Sequence, residues 1–248
     1  MSKLNTIHSG NPALQRRTYE SSYVNSLFDS IAYRYDVINH VLSSGIDIMW
    51  RRRAIQLLAA YQPKTILDVA TGTADLAIEA STLHPDSIIG IDISQKMLEI
   101  GSTKIQRRGL SSLITLQSGN AESMTFASES FDVVTAAFGV RNFSNLEKGL
   151  SEFHRVLHSG GIMMILEFSH PHHFPIKQLY SFYAKIIVPA LGGIISRNRT
   201  AYDYLPSTVS EFPDGEQFCD VLRAAGFTHV KRFPQTFGIA TIYLAEKI

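Results

Sequence analysis

The sequence predicts an α/β fold: a doubly wound, mostly parallel sheet with antiparallel pairing of the terminal strands, N-terminal helices and a helical insertion as a cap. Three observations predict it. Short apolar runs alternate with helical periodicity from Thr65 to Phe168. The first run ends in a Gly/Thr turn that opens a helix. The rhythm breaks after Phe168 and resumes with one helix and two closing apolar runs. The right-handed crossover rule leaves few topologies for such a chain.

Residues 1–18 read as a flexible tail, and 19–248 as a single domain. Its parts are a helical entrance over 19–60, a core sheet over 64–168, a cap insertion over 170–204, and a C-terminal helix and strands over 211–247. In the entrance, Phe28, Ile31, Ala32 and Tyr35 recur at helical spacing, as do Trp50, Ala54, Leu57 and Leu58. Leu42-Ser43-Ser44-Gly45 separates two helices, and Pro63 ends the entrance. Strands are expected at Thr65–Val69, Ser87–Ile91, Leu113–Gln117, Phe131–Ala136 and Ile162–Phe168. Helices are expected at Asp75–Leu83, from Ser94 to Arg107 with Ser94 as N-cap, and at Asn145–Leu157, with Ser159-Gly160-Gly161 as a turn. A last helix spans Gly215–Ala225, and Phe227–Phe233 pairs with Thr236–Ala245.

Composition narrows the function classes. With 248 residues, 45% hydrophobic and 18% charged, the chain can bury a sizeable core. A net charge of +1 gives no electrostatic reason to expect nucleic acid as a partner. Cys219 is the only cysteine, which suits a reducing cytoplasm. The N-terminal stretch lacks an apolar signal core, and Ile176–Ile195, the nearest thing to a membrane span, is broken by charges, proline and glycines. Arg51, Arg52 and Arg53 beside Trp50 read as a solvated helix end, or as a contact with a membrane surface. His170, His172 and His173 lack a carboxylate at ligand spacing and read as a surface loop, so no metal is expected.

Ligands of doubly wound sheets bind outside the carboxyl ends of the strands. The first strand leads into Asp68-Val69-Ala70-Thr71-Gly72-Thr73-Ala74-Asp75. Gly72 lets backbone approach a ligand, and Thr73 offers a hydroxyl and an N–H. Asp92 closes the second strand, where a carboxylate accepts from both hydroxyls of a ribose. A dinucleotide would require G-x-G-x-x-G here, and Asp75 would repel its pyrophosphate. S-adenosyl-L-methionine fits better, with Asp75 either meeting its α-amino group or capping the helix. Asn120 and Ala121, after the third strand, offer an amide and an N–H to adenine.

Four segments together resemble the ubiquinone/menaquinone biosynthesis C-methyltransferase family. They are Phe28 to Asn39 with Ser43-Ser44-Gly45 and Trp50-Arg51; Leu67 to Asp75; Phe138-Gly139-Val140-Arg141-Asn142; and Arg155 to Gly161 leading into Leu166-Glu167-Phe168-Ser169. The second segment is shared by many methyltransferases; the first and third are more specific. The resemblance runs from about Ser26 to the C-terminus. It implies a Rossmann-like class I methyltransferase fold and methyl transfer to a ring carbon of a prenylated quinol. It places Thr73, Asp92, Asn120 and Ala121 at the nucleoside and Ala137 at a further contact through its backbone. Asp47 stands where many relatives carry histidine, and Leu42 where many carry methionine.

Arg141 is expected to stabilise a developing phenolate, with Asn142 orienting the hydroxyl; the alternative is that Arg141 only pins its loop through carbonyls. Tyr35, Asp36 and Asn39 sit at neighbouring turns and either close over donor and ring or serve as helix caps beside a core tyrosine. Tyr180, Phe182, Tyr183, Ile186, Ile187 and Val188 give the insertion an apolar surface, either packed on the core or facing a prenyl tail and a bilayer. The expected enzyme is cytoplasmic and peripherally membrane-associated. A homodimer or a quinone-biosynthesis complex stays open. The C-terminal stretch Ser207–Lys247 resembles that of the family's menaquinone-only members, which implies menaquinone over ubiquinone precursors, and a different lipid or phenolic acceptor is the further alternative.

Overall fold

The computed structural model describes residues 4–6, 17–19, 21–43, 45–171, 174–182 and 208–248; side chains at 4–6, 17–19, 21, 31, 34–42 and 181 lie outside the description. Within the stretch read as a tail, β1 (Leu4–Thr6) pairs antiparallel with β2 (Arg17–Tyr19), where the sequence suggested no element. Helices α1 (Ser21–Ser43) and α2 (Ile46–Leu58) form the entrance. Gly45, at φ 76°, makes the break between them in a left-handed conformation that suits glycine.

The core alternates as expected: β3 (Thr65–Val69), α3 (Asp75–Ala80), β4 (Ser87–Asp92), α4 (Gln95–Arg107), β5 (Ile114–Ser118), β6 (Phe131–Ala137), α5 (Leu146–Val156) and β7 (Leu157–Phe168). Then come α6 (Ile176–Phe182), α7 (Gly215–Ala224), β8 (Thr228–Gln235) and β9 (Ala240–Glu246). The sheet order is β5-β4-β3-β6-β7-β9-β8, parallel except where β9 meets β7 and β8. The chain therefore runs outward from β3 through β4 and β5, then returns to lay β6 on the other side of β3. That reversal opens a crevice at the carboxyl ends of β3 and β6.

Both faces of the central strands are buried, so alternate residues feed two cores. Leu67, Val134, Met163 and Tyr243 join one with Leu150, Phe153 and Phe218 from α5 and α7. Ile66, Val133, Met164 and Ile242 join the other with Ala54, Ile55 and Ala77 from α2 and α3. Full burial of a side chain such as Phe153 contributes about 1.5–3 kcal/mol. Ser94 Oγ caps α4 by accepting from Met97 N at 3.3 Å, and Asn145 Oδ1 caps α5 by accepting from Lys148 N at 2.9 Å.

Two strand starts differ from expectation by four or more residues. Ser159-Gly160-Gly161 is no separate turn but a bulge inside β7, which begins at Leu157. The physical reason is that Gly160 N donates to Lys247 O (2.7 Å) and Lys247 N to Gly161 O (3.0 Å), which ties the glycines into the sheet. The last strand starts at Ala240, not Thr236, because Thr236–Gly238 forms a tight 3-10 turn with Phe237 at φ 58°. Most of the cap lies outside the described residues, including Tyr183, Ile186, Ile187, Val188, His172 and His173. Among the described residues no helix is long and apolar enough to cross a membrane.

Candidate donor cleft

The turn after β3 holds Ala70, Gly72 and Ala74 at φ 53°, 55° and 66°. Left-handed conformations are unfavourable for alanine, so the turn needs external support. Thr71 N donates to Ile91 O (3.0 Å), Ala74 N to Thr71 O (2.9 Å), and Gly72 N to Asp92 Oδ2 (2.8 Å). Asp68 supports the turn from below, accepting from Thr71 Oγ1 (2.6 Å) and Thr135 Oγ1 (2.8 Å). Burial pushes its carboxyl up to about 6, against the two hydroxyl bonds that pull it down. Asp68, which the sequence placed among the cofactor-binding residues, is buried as a brace under the turn and is not among the cleft's lining residues.

Asp92 faces the cleft from the end of β4. Its two oxygens accept from Gly72 N and Ser94 N, each at 2.8 Å, which fixes the carboxylate in the plane of the strand ends. Burial raises its pKa, while the N–H groups of Ser94, Gly72 and Ile93 oppose the rise. Gly139 packs so closely on this turn that a Cβ there would lie 2.6 Å from Ala70 Cβ. The two turns at the switch point are therefore in direct contact.

The cleft and its open mouth together take in about 690 Å³, part of it open solvent. Of the predicted site residues, Gly72, Asp92, Asn120, Ala121, Ala137 and Asn142 line it. Val24, Phe28, Ile93, Met97, Phe138 and Phe143 add apolar walls. Its charged lining is Asp92 and Glu122, and no lysine, arginine or histidine is among its described lining residues. A pyrophosphate would find no counter-charge here. An adenosyl sulfonium fits: the carboxylate suits the ribose diol, the apolar walls suit adenine, and the negative lining suits the cation.

Other predicted residues lie elsewhere. Thr73 is buried with its hydroxyl accepting from Lys104 Nζ (3.1 Å) on α4. Asp75 neither caps α3 nor lines the cleft; its carboxylate is paired with Lys104 and lies 3.5 Å from Arg51 Nη2. Arg51 also pairs with the buried Asp47, which accepts from Ser43 Oγ at 2.5 Å. The start of the basic run is therefore an internal ion pair, while Arg52 and Arg53 are exposed. His170 pairs with Asp214 at 2.9 Å, and no group of metal-ligating side chains occurs among the described residues. Tyr35, Asp36 and Asn39 lie on α1, with side chains outside the description.

Arg141, expected either to stabilise a developing phenolate or to pin its loop, makes internal bonds. Its side chain is buried beneath the turn, with Nη1 donating to Phe138 O and to Glu167 Oε1 (2.6 Å). It is not among the residues that line the cleft, whereas its neighbour Asn142 is. Glu167 neutralises the guanidinium, so the loop-pinning alternative describes the observed geometry. Glu167, Ser94 and Lys104 are parts of this framework that sequence reasoning gave no role there. A signal existed for Glu167: a carboxylate inside an otherwise apolar buried strand requires a partner.

Comparison with known proteins decides between ligand classes. The model of the ubiE/COQ5 methyltransferase family matches residues 16–247. The chain belongs to that family. Members of the ubiE/COQ5 family with similar sequences include a demethylmenaquinone methyltransferase of Bacteroides fragilis, 47% identical over 92% of this chain and 94% of the relative. A ubiquinone/menaquinone biosynthesis C-methyltransferase of Geotalea uraniireducens is 43% identical over 93% and 98%. Among solved structures, a SAM-dependent methyltransferase of Thermotoga maritima superposes with a TM-score of 0.62 at 17% identity, covering 90% of this chain and 99% of that one. The [4+2]-cyclase SpnF superposes with 0.58 at 17%, covering 93% and 97%, so the fold alone does not name the chemistry. Family membership does: this ubiE/COQ5 chain is an S-adenosylmethionine-dependent methyltransferase.

Proposed function

We propose that the enzyme transfers a methyl group from S-adenosylmethionine to a ring carbon of a prenylated quinol, demethylmenaquinol, giving menaquinol. The observation that carries this reading is the carboxylate-lined cleft, with no cationic side chain among its described lining residues and flanked by the Asn142 turn, in a chain 47% identical to a demethylmenaquinone methyltransferase.

Bound S-adenosylmethionine supplies an activated methyl group, so the protein's share is binding and orientation. Asp92 accepts from the ribose hydroxyls, and Gly72 leaves room for the donor's approach. Asn120 and Ala121 read the adenine edge, between the apolar side chains of Met97 and Phe143. The backbone at Ala137 flanks the donor. Asn142 orients the quinol hydroxyl whose proton loss makes the neighbouring ring carbon nucleophilic. Arg141 acts through Phe138 O and Glu167 to hold Asn142 in the cleft wall. Tyr35 and Asp36 close the entrance over donor and ring.

A cytoplasmic, peripherally membrane-bound enzyme follows from the substrate's long apolar tail. Exposed apolar side chains support it: Met49, Phe174, Leu179, Phe182 and Phe237 all face solvent. The Thr236–Gly238 turn packs on Pro171 and accepts from Trp50 Nε1 at 2.8 Å, which joins the chain segments that carry Met49 and Phe237. Such a rim suits the headgroup layer.

The test offers labelled S-adenosylmethionine with demethylmenaquinol and, in parallel, the ubiquinone-pathway benzoquinol, each in liposomes. Label in menaquinol is expected. Label in the benzoquinol alone moves the enzyme to the ubiquinone pathway, which the name of the Geotalea relative also covers. Label in neither, with donor binding retained, overturns the quinol assignment.

A further inference from the structure

Helix α1 forms the outer wall of the donor cleft through Val24 and Phe28. At the next residue, Asp29 Oδ1 accepts from Ser94 Oγ at 2.5 Å. Ser26 and Ser30, on the same helix, turn back to the carbonyls of Tyr23 and Leu27. Asp29 instead reaches across to the head of α4.

Ser94 is fully buried and, besides its carbonyl's bond from Leu98 N within α4, makes two further bonds. Its hydroxyl oxygen accepts from Met97 N, and its N–H donates to Asp92 Oδ1 at 2.8 Å. A hydroxyl has a single proton. By taking that proton, Asp29 sets the rotor so that the lone pairs face Met97 N. One residue thus links the helix over the cleft to the carboxylate assigned to the ribose. Charge couples the two ends as well. Asp29 and Asp92 flank Ser94 with like charges, and a cationic donor in the cleft offsets their repulsion. Docking of α1 and occupancy of the cleft therefore favour each other.

We propose that Asp29 is a positioning residue for the methyl donor: its hydrogen bond to Ser94 latches α1 over the cleft and slows release of the bound nucleoside. This rests on the reading that Asp92 holds the ribose. The experiment measures binding and dissociation of S-adenosylmethionine for the full chain and for Asp29→Ala, Asp29→Asn, Asp92→Ala, Ser94→Ala and the Asp29/Ser94 double alanine variant.

A charge-assisted bond at this site predicts that Asp29→Ala weakens binding about tenfold, mainly through faster dissociation. Asp29→Asn keeps an acceptor and should stay within about threefold. The double variant should bind no more weakly than Ser94→Ala, because the two share one bond. The donor KM should rise while the quinol KM holds, a split that general loss of structure would not give. If Asp29→Ala fails to fold, the comparison of Asp29→Asn with Ser94→Ala carries the same test. Wild-type affinity and release in Asp29→Ala, with binding lost in Asp92→Ala, overturns the latch and leaves the ribose reading standing. Unchanged binding in Asp92→Ala overturns both.

Discussion

Arg141 Nη1 lies 2.6 Å from Glu167 Oε1, with the two side chains 4% and 0% exposed. Glu167 Oε2 also accepts from Arg141 N (3.3 Å) and Oε1 from Phe168 N (2.9 Å), while the guanidinium sits 5.2 Å from the centroid of the Phe168 ring. This pair anchors the turn that presents Asn142 to the cleft. Removing one partner leaves a buried charge, at a cost of about 3–5 kcal/mol. Arg141→Ala and Glu167→Ala should each lose about that much in urea unfolding. The paired Arg141→Met/Glu167→Leu variant should recover most of it and yet turn over slowly, because the turn has lost its anchors. Donor binding should change far less than turnover in that variant.

Asp68 links the donor turn to pH. Its folded pKa of about 6 lies above the ordinary value of 3.8. A carboxyl raised in the folded state binds its proton more tightly there than when unfolded. Its contribution to stability is therefore present below about pH 4 and lost as pH rises through about 6. The whole effect is about 3 kcal/mol. Asp68→Asn should flatten the stability profile between pH 4 and 6, as measured by denaturant midpoints across that range.

Asp92 is the polar anchor of the cleft. Asp92→Ala should weaken donor binding by about tenfold to a hundredfold, the range for bonds to a charged acceptor. Because burial raises its pKa, donor affinity should fall with decreasing pH sooner than the titration of an ordinary aspartate would give. Asp92→Asn should bind weakly at every pH and lose that dependence. Calorimetric titration with S-adenosylhomocysteine across pH reads both effects.

Gly139→Ala places a methyl group 2.6 Å from Ala70 Cβ, with neither atom on a flexible side chain. The turns after β3 and β6 must then part. Overpacking of this kind costs about 1–3 kcal/mol. We expect a lower melting temperature together with a raised donor KM. A melting temperature and KM equal to wild type would show that the turns do not need this contact.

The repeating part of the fold was legible because its physics is local. Apolar runs such as Thr65–Val69 are buried on both faces, and Ser94 carries the cap its position implies. Gly72, Asp92 and Asn142 were legible as cleft residues because strand ends converge at the switch point. Misplacements arose where a side chain had two available partners. Thr73 turns to Lys104, Asp75 to Lys104 and Arg51, and Arg141 to Glu167; each choice depends on contacts between residues 24 to 31 positions apart. Periodicity carries no information on such pairings. The Gly160-Gly161 bulge was missed for the same reason, since its partner Lys247 lies at the far end of the chain.

The most direct test of the account is the site of methylation. Demethylmenaquinol in liposomes is incubated with the enzyme and 13C-methyl-labelled S-adenosylmethionine, and the product is read by carbon NMR. The account predicts a single labelled methyl bonded to a ring carbon, with both quinol oxygens free of label. A labelled methyl ether, or labelled donor left intact with the quinol unchanged, would contradict it.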